Sequence, residues 1–525
     1  MPLRPDLPGW AVAALLGACV FALYASFLGY APPGLHQHEV FFGLHAQAIA
    51  KSARDLDGRF LPLYFRIRLS GIDLWFHPVL VYATAPWLLV LPLSHAALRL
   101  PTALVGTLNV LLVYVLARRL LRQTSLALVA AALLALTPAH FIMARLAENY
   151  LYLVAVILGW LLCLLPAGDA RHPRQLIAGG LLLGLGVYTY LGGLVMMPIC
   201  VILTIVALLI YERERFATGS LALLASFGLM LVPIALWMST HPDAFGTLAG
   251  RYEFYDPTRT DAVGGMLALG RWPSLVKRLQ VYLDDFHPRF LLIRGDIAPV
   301  HSTAKAGVFL LSSFFLAVVG LYRAIATRPI SKAVAVLLAL AVLAPVPGAL
   351  VGEYFNISRA AMLLPCAALL GAFGFEYLCS AGGRARTIAI TALALVPLQF
   401  GYFYWDYMGR YRLRVSHWFG ANAERAFDEV LSRSGDPSPT PIYLSQEIPF
   451  VDYRWQLYAI QEHRDSLLAR TKMTSIDEIA ALPSQALVLS NFDDPTERAL
   501  LAAGFQRVAA IPDIDGAPSL AVLTR

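Results

Sequence analysis

A cluster of titratable side chains follows the first apolar segment of the chain. It reads His36-Gln37-His38-Glu39, and an amphipathic stretch from Glu39 to about Ala53 comes directly after it. A carboxylate beside imidazoles can act as a general base or bind a divalent metal ion. A glutamate at the start of a helix can also simply cap it, because the positive end of the helix dipole favours a carboxylate. The residues alone leave three interpretations open: a base at Glu39, a metal site formed by His36, His38 and Glu39, or a cap.

Short polar turns between the later apolar segments hold residues that could bind an anionic substrate. The planar guanidinium fork of arginine matches phosphate oxygens, which makes Arg145 and Arg359 candidates for phosphate binding. Each has a structural alternative. Arg145 can pair with Glu148 across one helical turn, and Arg359 can extend its charged group to the membrane surface. The remaining candidates for substrate binding are Glu148, Tyr188, Tyr190, His287, Asp296 and His301.

Structural roles compete for these remaining candidates as well. Tyr188 and Tyr190 fit the aromatic belt found at membrane interfaces. His287 and His301 fit an ordinary polar loop, and the aspartates at residues 284–285 are expected to include solvated charges.

The composition of the chain indicates the environment of these residues. Of the 525 residues, 58% are hydrophobic and only 14% are charged, which is more apolar surface than a soluble core of this size can bury. We therefore expect a polytopic α-helical membrane protein. The net charge of +7 does not indicate nucleic acid, because the basic residues lie mostly in short loops, where they orient membrane helices. All five cysteines lie within or at the end of apolar segments, and no CxxC pair or Cys/His cluster occurs, which argues against a disulfide framework and a zinc finger.

Apolar stretches of about 18 to 23 residues predict about eleven transmembrane helices. They lie near residues 9–30, 101–120, 124–141, 149–167, 174–191, 192–211, 217–238, 306–326, 331–350, 359–379 and 386–405. The first is longer than the core of a signal peptide, and we interpret it as an uncleaved span. A further stretch, residues 77–94, contains Pro78, Pro86 and Pro92, which disfavour a regular spanning helix.

The basic residues decide whether residues 77–94 cross the membrane. If they do not cross, nearly all basic clusters in short loops fall on one face, which the positive-inside rule makes cytoplasmic. If they do cross, every cluster after the first span moves outside. We therefore predict a first external loop at residues 31–100, with amphipathic helices along the membrane surface and a turn shaped by Asp55 and Asp57 at Gly58. A long external loop follows at residues 239–305. All candidate residues then lie on the extracytoplasmic side.

The last part of the chain has a different character. Amphipathic helical runs such as residues 422–432 and 496–503 alternate with short strand-like runs such as residues 441–444 and 486–489. We therefore predict a transmembrane domain at residues 1–405 and a small soluble α/β domain at residues 406–525, outside the cytoplasm.

Several motifs occur in an order that resembles a known group of membrane enzymes, the GT-C glycosyltransferases. The resemblance is to their protein-mannosyltransferase and aminoarabinose-transferase group, and it covers about residues 10 to 380. The motifs are residues 53–63 (ARDLDGRFLPL), 99–104 (RLPTAL), 137–140 (TPAH) leading to Arg145 and Glu148, 184–190 (GLGVYTY), 286–301 and 345–359.

The resemblance implies a GT-C fold and an inverting transfer of a hexosyl or pentosyl group. The donor would be a polyprenyl-phosphate-linked sugar, and the acceptor a glycan, lipid or protein at the outer surface of the cytoplasmic membrane. The Ala/Leu/Arg-rich composition is typical of a bacterial chain. A base takes the proton of the acceptor hydroxyl, while Arg359 and Arg145 bind the departing phosphate. This chain has His38-Glu39 where the family usually has Asp-Glu. We favour Glu39 as the base; the alternatives are His38 oriented by Glu39, or a changed or lost activity.

No cofactor is required for this chemistry, because arginines can neutralise the phosphate; a divalent metal at His36, His38 and Glu39 is the alternative. Two other functions compete. A transporter of lipid-linked sugars is expected to carry ionisable residues in mid-membrane, and these spans hold almost none. A non-catalytic scaffold would not need the His/Glu loop. The sequence therefore favours an enzyme.

Overall fold

The computed structural model describes residues 8–69, 72–165, 173–242, 244, 272–434 and 440–525. Helices dominate the described part. In chain order they are α1 (Gly9–Ala25), α2 (Gln37–Ser52), α3 (Val79–Leu88), α4 (His95–Leu121), α5 (Thr124–Ala135), α6 (Pro138–Met143), α7 (Tyr150–Leu164), α8 (Pro173–Gly186), α9 (Gly193–Tyr211), α10 (Phe216–Thr240), α11 (Trp272–Asp284), α12 (Leu311–Ala326), α13 (Lys332–Leu343), α14 (Val346–Val351), α15 (Leu363–Ala381), α16 (Gly383–Asp406), α17 (Arg412–Phe419), α18 (Ala423–Arg433), α19 (Val451–Gln461), α20 (Ser466–Ala469) and α21 (Pro495–Ala502).

The chain divides into two compact units. The first contains residues 1–26, 59–83 and 99–405, and the second contains residues 27–58, 84–98 and 406–525. The second unit therefore combines the end of the chain with two pieces of the predicted first external loop.

The first unit has the helices of a membrane protein. Across the described residues, six helical segments are long and apolar enough to span a bilayer; they are His95–Leu121, Gly193–Tyr211, Arg213–Thr240, Lys332–Val351, Leu363–Ala381 and Gly383–Phe419. Five shorter apolar helices are Gly9–Ala25, Val79–Leu88, Thr124–Ala135, Tyr150–Leu164 and Leu311–Ala326. Each of the predicted spans contains a helix, but several are too short to fix a count of eleven crossings. The α3 helix has ten residues and is about 15 Å long, half of a hydrocarbon core. That residues 77–94 do not cross the membrane stays a prediction.

Small residues bring two of these helices into close contact. A Cβ atom at Gly320 of α12 would collide with the carbonyl oxygen of Leu370 in α15, and one at Gly374 with that of Leu316. Helices in a lipid environment associate through such close backbone packing, because lipid offers no hydrophobic driving force between them.

A tyrosine hydroxyl interrupts the backbone ladder of α10. This helix contains Pro233, which cannot donate a backbone hydrogen bond. On either side of this proline, the Tyr188 hydroxyl donates to the carbonyl of Met230 (2.5 Å) and accepts from the backbone N–H of Ile234 (3.2 Å). These two backbone groups would otherwise bond to each other, so the hydroxyl takes the place of one helical hydrogen bond.

A β-hairpin lies in the first unit, where no strand was predicted. Strands β1 (Phe65–Leu69) and β2 (Ile72–Phe76) pair antiparallel. Arg68 Nε donates to Asp73 Oδ1 across the hairpin (2.8 Å), and Arg66 Nη1 donates to Asp73 Oδ2 (3.2 Å). At the turn before it, Asp57 N–H donates to Asp55 Oδ1 (3.0 Å), and Gly58 has a φ of 79°. The predicted turn at Gly58 is therefore present.

The second unit contains a five-stranded mixed sheet. Its strands are β3 (Ile442–Ser445), β4 (Thr471–Thr474), β5 (Leu487–Asn491), β6 (Gln506–Pro512) and β7 (Pro518–Thr524), in the spatial order β4-β3-β5-β7-β6. The first three run parallel, and β7 pairs antiparallel with both β5 and β6. Helices α18 and α19 cover one face of the sheet through Phe427, Val430 and Trp455, which are buried with the strand residues. Residues 406–525 thus contain helices and a mixed sheet, whereas a separate domain with these bounds stays a prediction.

Candidate active site

A buried pair of titratable side chains lies in the first unit. Glu148 follows α6, and His301 belongs to the loop between α11 and α12; His301 Nε2 and Glu148 Oε2 are 3.2 Å apart. The other ring nitrogen, Nδ1, faces Asp296 Oδ2 at 3.8 Å, an electrostatic contact too long for a hydrogen bond. All three side chains are buried. The sequence named each as a candidate, and the structure brings them together.

Backbone amides hold Asp296 in place. Its Oδ1 accepts from the N–H of Ala298 and its Oδ2 from the N–H of Ile357, both at 2.7 Å. Burial raises the pKa of Asp296, although His301 and these amides partly offset the increase. For His301, burial alone lowers the pKa, but the two carboxylates outweigh it, and the pKa lies above its ordinary value. The histidine therefore binds its proton more tightly than an isolated imidazole does.

Arg359 forms the cationic part of the same cluster. Its Nε and Nη2 donate to the two carboxylate oxygens of Glu353 at 2.9 and 3.0 Å. The guanidinium carbon lies 5.1 Å from the centre of the Tyr190 ring, and Tyr150 packs edge-on against both Tyr190 and His301. Arg359 is therefore not a residue that extends to the membrane surface. Its third nitrogen, Nη1, makes no hydrogen bond to the described part of the chain, so it can donate to an anion.

A third buried carboxylate belongs to this region. Asp285, at the end of α11, is fully buried, whereas a solvated charge was expected at residues 284–285. Burial raises the pKa of Asp285 to about 8, and the backbone amides of Asn356 and Phe355 oppose the increase. The carboxyl group lies 3.5 Å from the position of a Cβ atom at Gly348. Asp285 is thus largely protonated near neutral pH.

A pocket opens beside this cluster. Its volume is about 320 Å³, and it is lined by residues 289–290, 294–297, 304 and 354–355. Arg289 and Arg294 line it together with Asp296 and the ring of Phe355. The loop after α11 and the turn after α14 therefore enclose a space with basic and acidic groups at its walls.

Arg145 is more deeply buried than a phosphate-binding arginine needs to be. Its Nη1 donates to the carbonyl oxygens of Tyr24 (2.8 Å) and Ser26 (2.6 Å), near the end of α1. Its guanidinium carbon also lies 5.2 Å from the centre of the Phe141 ring. These contacts give Arg145 a structural role, and its predicted role in phosphate binding is not tested.

Two other predicted substrate-binding residues lie elsewhere. The Tyr188 hydroxyl is bonded to the backbone of α10, so it does not point into the cluster. His287 is exposed, and its Nδ1 accepts from the N–H of Arg289 at 3.1 Å, which makes it a loop residue.

Glu39 is buried at the start of α2, in the second unit. It occupies the third helical position, where its Oε2 accepts from the backbone N–H of His36 at 2.9 Å. This is the geometry of a capping glutamate, one of the three interpretations of the sequence. The His36 and His38 rings pack edge to face with their centres 5.0 Å apart. The structure fixes the orientation of Glu39 but does not test its role as a base or as a metal ligand.

Comparison with known proteins agrees with this architecture. Residues 77–237 match the family model described as dolichyl-phosphate-mannose-protein mannosyltransferase. The crystal structure of ArnT from Cupriavidus metallidurans bound to undecaprenyl phosphate is similar over 98% of both chains, with a TM-score of 0.58 and 13% identity. A second similar structure is the oligosaccharyltransferase AglB from Archaeoglobus fulgidus in complex with an inhibitory peptide and a dolichol-phosphate. It covers 91% of this chain and 69% of its own, with a TM-score of 0.52 and 12% identity.

No curated protein matches the chain by sequence. At 12 to 13% identity, the two structures show the fold alone. The chain therefore has the fold of the GT-C membrane glycosyltransferases, and its resemblance to the protein-mannosyltransferase and aminoarabinose-transferase group is confirmed.

Sequence reasoning missed two members of the cluster. Glu353 pairs with Arg359 within one short turn. The sequence indicated this pair only through a carboxylate six residues before the arginine. Asp285 gave no signal, because an aspartate pair after an amphipathic helix looks the same whether it is solvated or buried.

Proposed function

We propose that the chain is an inverting glycosyltransferase, which transfers a hexosyl or pentosyl group from a polyprenyl-phosphate donor to an acceptor. The observation that carries this proposal is the buried cluster of Glu148, His301 and Arg359 within a GT-C fold. The ligands of the two similar structures, undecaprenyl phosphate and dolichol-phosphate, support a lipid phosphate as the donor's carrier.

The departing group needs a cation. When the bond between the anomeric carbon and the phosphate oxygen breaks, negative charge develops on the lipid phosphate. Arg359 provides a permanent positive charge there: Glu353 fixes its orientation through Nε and Nη2, while Nη1 donates to the phosphate. A preorganised donor of this kind stabilises the developing charge without reorganising during the reaction.

The acceptor needs a base. For this role we propose Glu39, because the backbone bond from His36 holds its carboxylate in one orientation at a helix start. Glu39 removes the proton of the acceptor hydroxyl as that oxygen attacks the anomeric carbon, and the polyprenyl phosphate leaves from the opposite side. A single displacement inverts the configuration at that carbon. His38 as the base, oriented by Glu39, is the alternative from the sequence.

The location follows from charge. Because basic clusters in short loops favour the cytoplasmic side, we infer that the candidate residues and residues 406–525 face the extracytoplasmic side of the inner membrane; the assignment to a bacterium rests on the Ala/Leu/Arg-rich composition. The acceptor is accordingly a glycan, lipid or protein at the outer surface.

The experiment uses the purified full chain in detergent with a synthetic radiolabelled polyprenyl-phosphate sugar and isolated envelope acceptors. We expect the wild type to transfer label, and the variants Glu39→Gln and Arg359→Met to lose at least about 100-fold in kcat. Full activity of both variants would overturn the assigned roles. A scaffold would transfer no label but would retain its partners in the Glu39→Gln variant. A transporter would move the donor across liposomes without transfer.

A further inference from the structure

One peptide group in the second unit makes hydrogen bonds to two different side chains. It joins Leu35 to His36, immediately before α2. Its N–H, which belongs to His36, donates to Glu39 Oε2 at 2.9 Å. Its carbonyl oxygen, which belongs to Leu35, accepts from Arg454 Nη1 at 2.6 Å. Because a peptide unit is planar, fixing the carbonyl also fixes the direction of the N–H.

The arginine that binds this peptide lies in residues 406–525, the part of the second unit that contains the five-stranded sheet, which we call the C-terminal domain. It is more than 400 residues further along the chain. Arg454 lies on α19, and its Nη1 also donates to the carbonyl of Phe419 at 3.1 Å. Burial lowers the pKa of Arg454 to about 10, with the charge of Glu39 opposing that decrease. The group is therefore a cation at neutral pH, and it interacts electrostatically with Glu39.

Two glycines allow the three segments to approach. Gly34 has a φ of 66°, and a Cβ atom there would lie 2.5 Å from the carbonyl oxygen of Phe419. Gly420 has a φ of 55°, and its Cβ atom would lie 2.6 Å from the guanidinium of Arg454. Both positions combine a left-handed backbone with a space that no side chain can occupy. The segment before α2, the end of α17 and Arg454 are thus built around one another.

Aromatic packing joins α2 to α19 along the same side. Phe41, two residues after Glu39, packs edge-on against Phe450 and Tyr453, with ring centres 5.5 and 4.9 Å apart. These contacts hold the helix, but they do not act on the carboxylate. Arg454, on α19, bonds directly to the peptide that holds Glu39.

We propose that Arg454 is a positioning residue for Glu39, acting through the Leu35–His36 peptide, and that the C-terminal domain thereby takes part in the transfer reaction. This inference rests on the proposed role of Glu39 as the base. Without the guanidinium, the peptide can rotate and the carboxylate loses its fixed direction. A displacement of a catalytic group by about 1 Å lowers turnover by about 100-fold, whereas binding of the donor lipid is not affected.

The test compares kcat and KM for four variants of the full chain in the radiolabelled-donor assay. We expect Arg454→Met to lower kcat about 30-fold to 100-fold with an unchanged KM for the donor, and Arg454→Lys to recover part of the loss by restoring the charge and one donor. In the double variant Glu39→Gln/Arg454→Met, kcat should equal that of Glu39→Gln, because a missing base cannot be misplaced.

Arg470→Met is the matched control. Arg470 lies in the same domain and also donates to a backbone carbonyl, that of Ser434, at 3.3 Å. Its removal should lower thermal stability but leave kcat of the folded protein unchanged. The inference is overturned if Arg454→Met and Arg470→Met lower kcat equally. It is also overturned if the losses from Glu39→Gln and Arg454→Met multiply in the double variant, because Arg454 then has only a structural role. If Glu39→Gln keeps full activity, the assignment of the base fails first, and the inference fails with it.

Discussion

Replacing Asp285 with asparagine should remove a dependence of stability on pH that the wild type carries. The folded protein holds this carboxyl group with a pKa of about 8, whereas the ordinary value is 3.8. Between these values the folded state keeps a proton that the unfolded state has lost. The stability contributed by the protonated form is therefore fully present below pH 3.8 and decreases as the pH rises towards 8.

The size of the effect follows from linkage. One proton held by the folded state alone changes the free energy of unfolding by about 1.4 kcal/mol per pH unit. From pH 5 to pH 7 the wild type should lose about 3 kcal/mol from this group. The Asp285→Asn variant imitates the protonated form, because its side chain is neutral and of the same shape. Its free energy of unfolding should therefore not decrease through this group between pH 5 and pH 7.

The assay is unfolding of the two proteins in detergent at pH 5, 6 and 7, with the difference in stability taken at each pH. The difference should grow in favour of Asp285→Asn as the pH rises. Asp284→Asn serves as the comparison, because that carboxylate is adjacent in sequence but more exposed. Its charge makes only one of the smaller contributions that raise the pKa of Asp285, so this variant should keep most of the wild-type decrease in stability with pH. A constant difference between the wild type and Asp285→Asn would refute the reasoning that burial keeps this group protonated.

Two further outcomes are expected. Arg359→Lys keeps the charge but loses the bidentate pairing with Glu353. It should therefore lower kcat/KM for the donor lipid about 30-fold in steady-state kinetics, which corresponds to a loss of about 2 kcal/mol of transition-state stabilisation. An unchanged kcat/KM would contradict a role for the guanidinium of Arg359. Gly374→Ala places a methyl group against the carbonyl of Leu316 and should cost about 1 to 3 kcal/mol of stability in thermal unfolding. Gly228→Ala, which meets no atom within 4 Å, should be neutral or slightly stabilising, and an equal loss in both variants would show that the close contact is not the cause.

Much of the fold could be predicted because its elements leave local signals. Apolar runs placed helices such as α9 and α10 within a few residues, and the alternation of residues 441–444 and 486–489 located β3 and β5. The hairpin at Phe65–Phe76 was not predicted, although its charged and apolar residues alternate with the period of a strand. Its position inside a loop with membrane-like segments on both sides concealed that period.

The pairing of distant segments could not be predicted. Arg454 and Leu35 are separated by more than 400 residues, and nothing near either one indicates the other. The same holds for Glu148 and His301, which were recognised separately from their residue types but joined only by the fold. Local patterns identify which side chains can do chemistry, whereas tertiary packing decides which of them share an environment.

The hydroxyl of Tyr188 bonds to the backbone of α10 beside Pro233, where the hydrogen bonding of this membrane helix is incomplete. A proline in such a helix leaves a carbonyl without its partner, and in lipid that carbonyl has no water to replace it. Pro233 leaves the carbonyl of Leu229 without a helical donor, and the Tyr188 hydroxyl replaces the next bond, between Ile234 and Met230, so α10 lacks two consecutive bonds of its own ladder at this point. The helix then brings Trp237 to a stack with His241, and Tyr64 and Trp75 pack against the same indole. A hydroxyl from outside α10 thus lies at the turn that precedes the aromatic cluster around Trp237.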